Sequence, residues 1–232
     1  MIKSILFDLD GTLRHNDPSG SRVFVEYARA LGLPLHEEDI ARAARWEHYY
    51  FANSPDIQAD SQKFENDSFW TNFARRRLVA LGCRPEQAAE LAPQFSAYMA
   101  ENYKPTSFVP EEVFPLLSAL KAAGYNLGMV SNRSRPFDEE LKGLGLDGYF
   151  NFTLAGGEVN AFKPDLAIFE EALRRAGTSA AQTIYVGDNY YADAVGARRA
   201  GLRPVLYDPS GLFPDPGCEV IVSFDQLTKL LG

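Results

Sequence analysis

The chain has 232 residues, 46% of them apolar and 23% charged, with 16 Phe, 11 Tyr and 2 Trp. That is ample material for a packed core and excludes a disordered chain or a coiled coil. Lys and Arg number 23 against 31 Asp and Glu, a net charge of −8, so the surface repels nucleic-acid phosphates and anionic membranes, and neither is an expected partner.

The first predicted element is a strand over residues 2–7, a short apolar run broken by Asp8-Leu9-Asp10-Gly11-Thr12. It is too short for a signal-peptide core, and no later run approaches the roughly 18 apolar residues of a membrane span. Residues 15–107 read as helical throughout. Val23, Tyr27 and Leu31 recur at helical spacing, as do Trp70, Phe73, Ala74, Leu78 and Leu81, a pattern of buried helix faces. Gly32, Pro34, Gly82 and Pro85 punctuate about four helices, with no strand among them. Arg75-Arg76-Arg77 is expected to be a solvated helix face, and Trp46, Tyr49, Tyr50 and Phe51 the core of this region. From Phe108 the pattern alternates. Val113, Leu116, Leu117 and Leu120 form a helix ending at Gly124, and Leu166, Phe169, Leu173 and Ala176 form another. Short apolar strands are expected at residues 125–130, 152–154, 183–186, 204–207 and 220–222. Alternating strands and helices imply a parallel sheet with crossover helices. The expected fold is therefore α/β: a Rossmann-like, doubly wound parallel-sheet core of residues 1–14 plus 108–232, carrying an inserted all-α domain of residues 15–107. An insert that long is a domain rather than a loop.

Cys83 and Cys218 stand far apart without a C-x-x-C pattern. Two free thiols suit a reducing cytosol, and a cytoplasmic location is expected. No Walker A pattern occurs, and all three histidines, His15, His36 and His48, fall in the insert or its first linker. A Ser-His-Asp triad or a histidine metal site is therefore not expected. His15 follows the first acidic motif closely and reads as a solvated linker histidine.

In open α/β sheets ligands bind beyond the carboxyl ends of the strands. The expected strand ends deliver Asp8 and Asp10, then Ser131 and Asn132, then Lys163-Pro164, then Gly187-Asp188 through Asp193. Extended backbone would point Asp8 and Asp10 the same way. Converging carboxylates repel unless a cation lies between them or one is protonated. Oxygen donors of this kind suit a hard ion such as Mg²⁺. Taken alone, Asp-x-Asp is a strand-end turn, Lys163 a surface lysine before a helix, and Ser131-Asn132 a turn. Together they describe one charged edge.

These motifs resemble those of the haloacid dehalogenase-like hydrolases. Asp8-Leu9-Asp10-Gly11-Thr12-Leu13 is similar to the first motif and Val130-Ser131-Asn132 to the second. Lys163-Pro164-Asp165 is similar to the third, and Gly187-Asp188 through Asp193 with Gly196-Ala197 and Ala200-Gly201 to the fourth. The helical insert resembles the family's cap in position, size and helicity only. The resemblance implies a Mg²⁺-dependent phosphatase acting on a small phosphorylated metabolite, a sugar phosphate, phosphoglycolate or nucleotide among them. It implies Asp8 as nucleophile, giving an aspartyl-phosphate, and Asp10 as acid and then base. Mg²⁺ would be held by the Asp8 carboxylate, the Asp10 backbone carbonyl and Asp188, with Asp193 in support. Ser131, Asn132 and Lys163 would bind the phosphoryl group. The insert would act as a hinged lid. Asn160 stands where the family often has Gly, a position where Asn tolerates positive φ. Arg133 stands where a small residue is more usual and reads as a surface arginine, with contact to a substrate anion the other option. Asp10 argues against halide displacement, because an alkoxide leaving group needs a proton and halide does not. A β-phosphoglucomutase-like phosphomutase and a non-catalytic phosphate-binding member remain alternatives, and oligomeric state is open.

Overall fold

The computed structural model describes residues 1–231. In chain order it has β1 (Ser4–Phe7), β2 (His15–Asp17), α1 (Gly20–Ala30), α2 (Glu37–Phe51), α3 (Pro55–Lys63), α4 (Asn66–Ala80), α5 (Pro85–Asn102) and β3 (Thr106–Phe108). The chain continues through α6 (Val113–Ala122), β4 (Asn126–Ser131), α7 (Asp138–Gly143), β5 (Phe152–Ala155), α8 (Gly156–Val159) and α9 (Leu166–Ala176). Then come β6 (Thr183–Gly187), a π-helical turn over Tyr190–Val195, α10 (Gly196–Arg199), β7 (Arg203–Tyr207), β8 (Glu219–Ile221) and α11 (Asp225–Leu231). Two compact units result: Met1–His15 with the chain from Phe108 onward, and Asn16–Ser107. Among the described residues no helix is long and apolar enough to cross a membrane.

In the α/β unit, six strands among the described residues form one parallel sheet in the order β5-β4-β1-β6-β7-β8. β1 is its centre because Ile5, Leu6 and Phe7 are buried on both faces, as a strand covered by helices on each side requires. Ile5 and Phe7 pack on one face with Leu117 and Leu227, and Leu6 on the other with Phe169 and Ala197. The sheet is therefore doubly wound. Strand order reverses at β1, between β4 and β6, which makes the carboxyl end of β1 the switch point. Phe7 stands opposite Met129 and Val186, so the residues that follow emerge together. α9 shows how the helices are set: Asp165 accepts a bond from Ala167 N at 3.0 Å, Ile168, Phe169, Ala172 and Ala176 are buried, and Gly177 closes it at φ 64°. β1 begins at Ser4 rather than residue 2. The six-residue α7 and the π-helical turn show no legible helical period, being too short for one.

In the helical unit, α1–α5 enclose Phe24, Ala74, Leu78, Ala92 and Phe95. The sequence suggests about four helices. The further one, α3, has no apolar face: it opens with a Ser54 cap and Pro55, and its one buried residue is Asp60. β2 and β3 pair as a two-stranded ribbon, three residues each and too short for alternation to register. The arginine run is not a solvated face. Arg77 is 2% exposed, 2.9 Å from Glu47, 2.6 Å from Ser21 Oγ and stacked over Phe24. Arg76 pairs with buried Asp60 at 2.7 Å, and Tyr50 Oη donates to the same carboxylate at 3.0 Å.

Candidate active site

The turn after β1 is set by hydrogen bonds. Asp8 N donates to Val186 O at 2.9 Å and so extends the sheet by one residue. Leu13 N and Arg14 N then both return to Leu9 O at 3.0 and 2.8 Å, which takes the chain out of extended backbone. Asp8 and Asp10 consequently do not point the same way. Asp8 turns into the protein, whereas Asp10 turns to Arg14, at 2.9 Å, and Arg133, at 2.8 Å from each of its oxygens. Gly11 has φ 92°, and a Cβ there would collide with the Asp188 carboxylate. Glycine is thus required both by conformation and by the approach of the two loops.

From the end of β6 come Asp188 and Asp193. Asn189 Oδ1 accepts from Tyr191 N and Ala192 N at 3.0 Å, starting the π-helical turn that swings Asp193 back. Carboxylate oxygens of Asp8, Asp188 and Asp193 lie within 4.8 Å of one another. Lys163 is buried among them. Its Nζ donates to Asp8 Oδ1 at 2.6 Å and to Asp193 Oδ1 at 2.7 Å, with Tyr185 Oη at 3.0 Å and Val130 O at 3.1 Å. Asp193 Oδ2 is taken by Asn189 N at 3.0 Å. Thr12 Oγ1 lies 3.2 Å from Asp8 Oδ2 and 3.1 Å from Asp188 Oδ1, and accepts from Asp188 N at 2.9 Å. Ser131 is buried at the end of β4.

The Asn132 side chain is bonded to the Lys163 backbone. Its Oδ1 accepts from Lys163 N at 2.6 Å and its Nδ2 donates to Lys163 O at 2.9 Å, so its amide fixes the lysine's backbone. His15 is not solvated: its Nε2 lies 2.9 Å from Thr12 O, between the rings of Phe108 and Tyr207, and burial pushes its pKa down. Asn160 adopts φ 49° at the end of α8, as its residue type allows. Thr12 and Tyr185 are contacts that motif reading passes over. Thr12 sits inside the first motif without an evident duty, and Tyr185 looks like an ordinary strand residue.

Three carboxylates face one ammonium here, and the imbalance shows in proton affinity. Burial raises Asp8 to about 7, helped by Asp193 and Asp10 and opposed by Lys163. Asp188 is raised by burial and by Asp8 and Asp193. Burial alone would lower Lys163, but Asp193 and Asp8 outweigh it and hold the ammonium charged. Burial would raise Asp10, but Arg133 and Arg14 outweigh it and hold it ionised. A cluster short of positive charge and built of oxygen donors fits a hard divalent cation. Asp8 and Asp193 each bond Lys163, and Asp8 and Asp188 share the Thr12 hydroxyl.

A family model for haloacid dehalogenase-like hydrolases matches residues 2–201. The ribulose-1,5-bisphosphate 5-phosphatase of Halopiger xanaduensis is 30% identical over 90% of this chain and 86% of its own. The phosphoserine phosphatase of Thermus thermophilus is 29% identical over 92% and 91%. Among solved structures, a 2-haloacid dehalogenase from Pseudomonas syringae is 28% identical, with a TM-score of 0.55 over 100% of this chain and 98% of that one.

Proposed function

Since the chain belongs to the haloacid dehalogenase-like hydrolases, we propose that it is a phosphatase that hydrolyses a small phosphorylated metabolite through an aspartyl-phosphate. The observation that carries this reading is the convergence of Asp8, Asp188 and Asp193 at the switch point of the sheet, with Lys163 bonded to Asp8 and Asp193. Phosphatase relatives support the choice of ester. The dehalogenase likeness is answered by Asp10, a carboxyl group that halide displacement does not need. In this reading catalysis belongs to the α/β unit, which supplies every group named in the site.

Once Asp10 has left Arg14 and Arg133 and taken up a proton from water, Asp8 Oδ attacks phosphorus, and the bond from phosphorus to the leaving oxygen breaks as Asp10 gives that oxygen the proton. Asp10, now a carboxylate, takes a proton from water. The resulting hydroxide adds to phosphorus, and the bond to Asp8 breaks to release phosphate. Lys163, fixed by Asn132, Tyr185 and Val130, offsets the repulsion between anionic nucleophile and anionic ester. Ser131 offers a hydroxyl to the phosphoryl oxygens. Asp8 and Asp188, with the Asp10 carbonyl, would hold Mg²⁺, which supplies charge neutralisation on the phosphoryl group.

The test is Mg²⁺-dependent hydrolysis of p-nitrophenyl phosphate by the full chain. Asp8→Asn removes the nucleophile and is expected to cut turnover on the order of 10⁴-fold or more. Undiminished turnover in Asp8→Asn would overturn the assignment. Isomerisation of a sugar phosphate without phosphate release would favour the mutase reading.

A further inference from the structure

Four charged groups flank the cluster without joining it. Arg133 meets Asp10 as a two-pronged fork, Nε to Oδ2 at 2.8 Å and Nη2 to Oδ1 at 2.8 Å. Arg14 Nη1 reaches the same Oδ1 at 2.9 Å. Glu140, on α7, backs both arginines: it accepts from Arg133 Nη2 at 3.1 Å, contacts Nη1, and lies 3.1 Å from Arg14 Nε. The Arg133 guanidinium also lies over the ring of buried Phe137, 5.5 Å from its centre. Two positive and two negative charges cancel. Arg133 is 24% exposed and Asp10 39%, and residues 133–140 line an open groove.

A guanidinium held from behind by Glu140 and from below by Phe137 is a rigid receptor for a planar carboxylate. At rest Asp10 fills it. That engagement has a consequence for catalysis: both oxygens of Asp10 are committed to arginines, so neither is free to meet the leaving oxygen of an ester. An incoming carboxylate can take Asp10's place by exchange. The fork keeps two charge-assisted hydrogen bonds, the quartet keeps its charge balance, and Asp10 is released two residues from Asp8. A neutral group cannot make this exchange, because it leaves the arginines short of one negative charge.

We propose that Arg133, supported by Arg14 and Glu140, is the specificity-determining residue of this enzyme. It receives a carboxylate carried by the phosphate monoester and hands Asp10 to the reaction. The inference rests on the phosphatase reading above and narrows its substrate class to phosphorylated carboxylic acids. Glu140 is a positioning residue in this scheme, acting through Arg133.

The experiment compares phosphoglycolate with phosphoglycolamide, in which a neutral carboxamide replaces the carboxylate at nearly constant shape. For the wild-type protein kcat/KM is expected to be at least about tenfold higher on the acid, the factor for one lost charge-assisted interaction. Arg133→Gln removes the fork and is expected to bring that ratio close to one, mainly by raising KM for the acid. Arg133→Lys keeps the charge without the fork and should retain an intermediate ratio. If Arg133→Gln folds poorly, inhibition of the wild-type protein decides the matter. Glycolate is expected to compete with p-nitrophenyl phosphate, and glycolamide is not. An equal loss on both substrates in Arg133→Gln, or equal inhibition by glycolate and glycolamide, overturns the assignment. Wild-type turnover of both substrates at equal rates overturns it while leaving the phosphatase reading intact. Turnover of no phosphate ester at all ends both.

Discussion

The two units bury charge in opposite ways. In the helical unit each buried charge is matched: Asp60 by Arg76 and a Tyr50 hydroxyl, Arg77 by Glu47 and Ser21. In the α/β unit the clustered carboxylates of Asp8, Asp188 and Asp193 have one ammonium among them, Lys163, which pairs with Asp8 and Asp193. A matched pair balances its charge and holds a core together. An unmatched cluster costs stability, because each carboxylate gives up water without a full partner. Under the proposed function, that cost is kept where a cation and a phosphoryl group are to be bound.

The largest expected effect comes from removing the ammonium. Lys163→Met leaves Asp8 and Asp193 buried without a cation. Loss of one partner of such a pair costs about 3–5 kcal/mol, and hydrolysis is expected to fall on the order of 10²–10³-fold. Denaturant titration and steady-state kinetics together read both. A variant as stable and active as the wild type would erase the contrast between the units.

The matching change in the helical unit is Arg77→Met. It loses the bonds to Glu47 and Ser21 but keeps the apolar contact with Phe24. Glu47 is 25% exposed and regains water, so the expected cost is smaller, about 2 kcal/mol. Turnover per folded molecule should not change. A loss of turnover at full stability would place Arg77 in the chemistry instead.

The smallest effect sharpens the comparison through pH. Asp8 is raised by burial from 3.8 to about 7, and Asp188 moves the same way. A carboxyl group with a raised folded value stabilises the fold below its unfolded value, and that contribution is lost as pH rises through the folded one. In the metal-free protein the loss runs from about pH 4 to above about pH 7. A divalent cation takes the place of the protons. The rise in Tm on adding Mg²⁺ is therefore expected to be larger at about pH 8 than at about pH 5. An equal rise at both pH values would mean that Mg²⁺ does not bind at these carboxylates.

Much of this was legible along the chain. Each central strand is a short apolar run, because a strand covered on both faces leaves no room for alternation, and each of β4–β8 falls within a residue or so of where its run predicts. The order of the motifs placed Asp8, Ser131 and Asp188 at strand ends and Lys163 near a strand's exit, beyond α8 in the structure, and a parallel sheet has one carboxyl edge at which such ends can meet. The family resemblance, with Gly often at this position, together with the residue type anticipated the left-handed Asn160.

Other features were set by contacts between distant residues. Asp10 turns away from Asp8 because two amides converge on Leu9 O and because Arg133, 123 positions along, offers a fork. Asn132 serves Lys163 because two loops bring an amide beside a peptide. The Arg75-Arg76-Arg77 run looks solvated in one dimension, yet Arg77 is enclosed by Glu47 and Ser21. Local sequence encodes periodicity and backbone conformation, both of which act over a few residues. The partner a charge finds depends on which segments pack together, and that was decided only when the chain closed on itself.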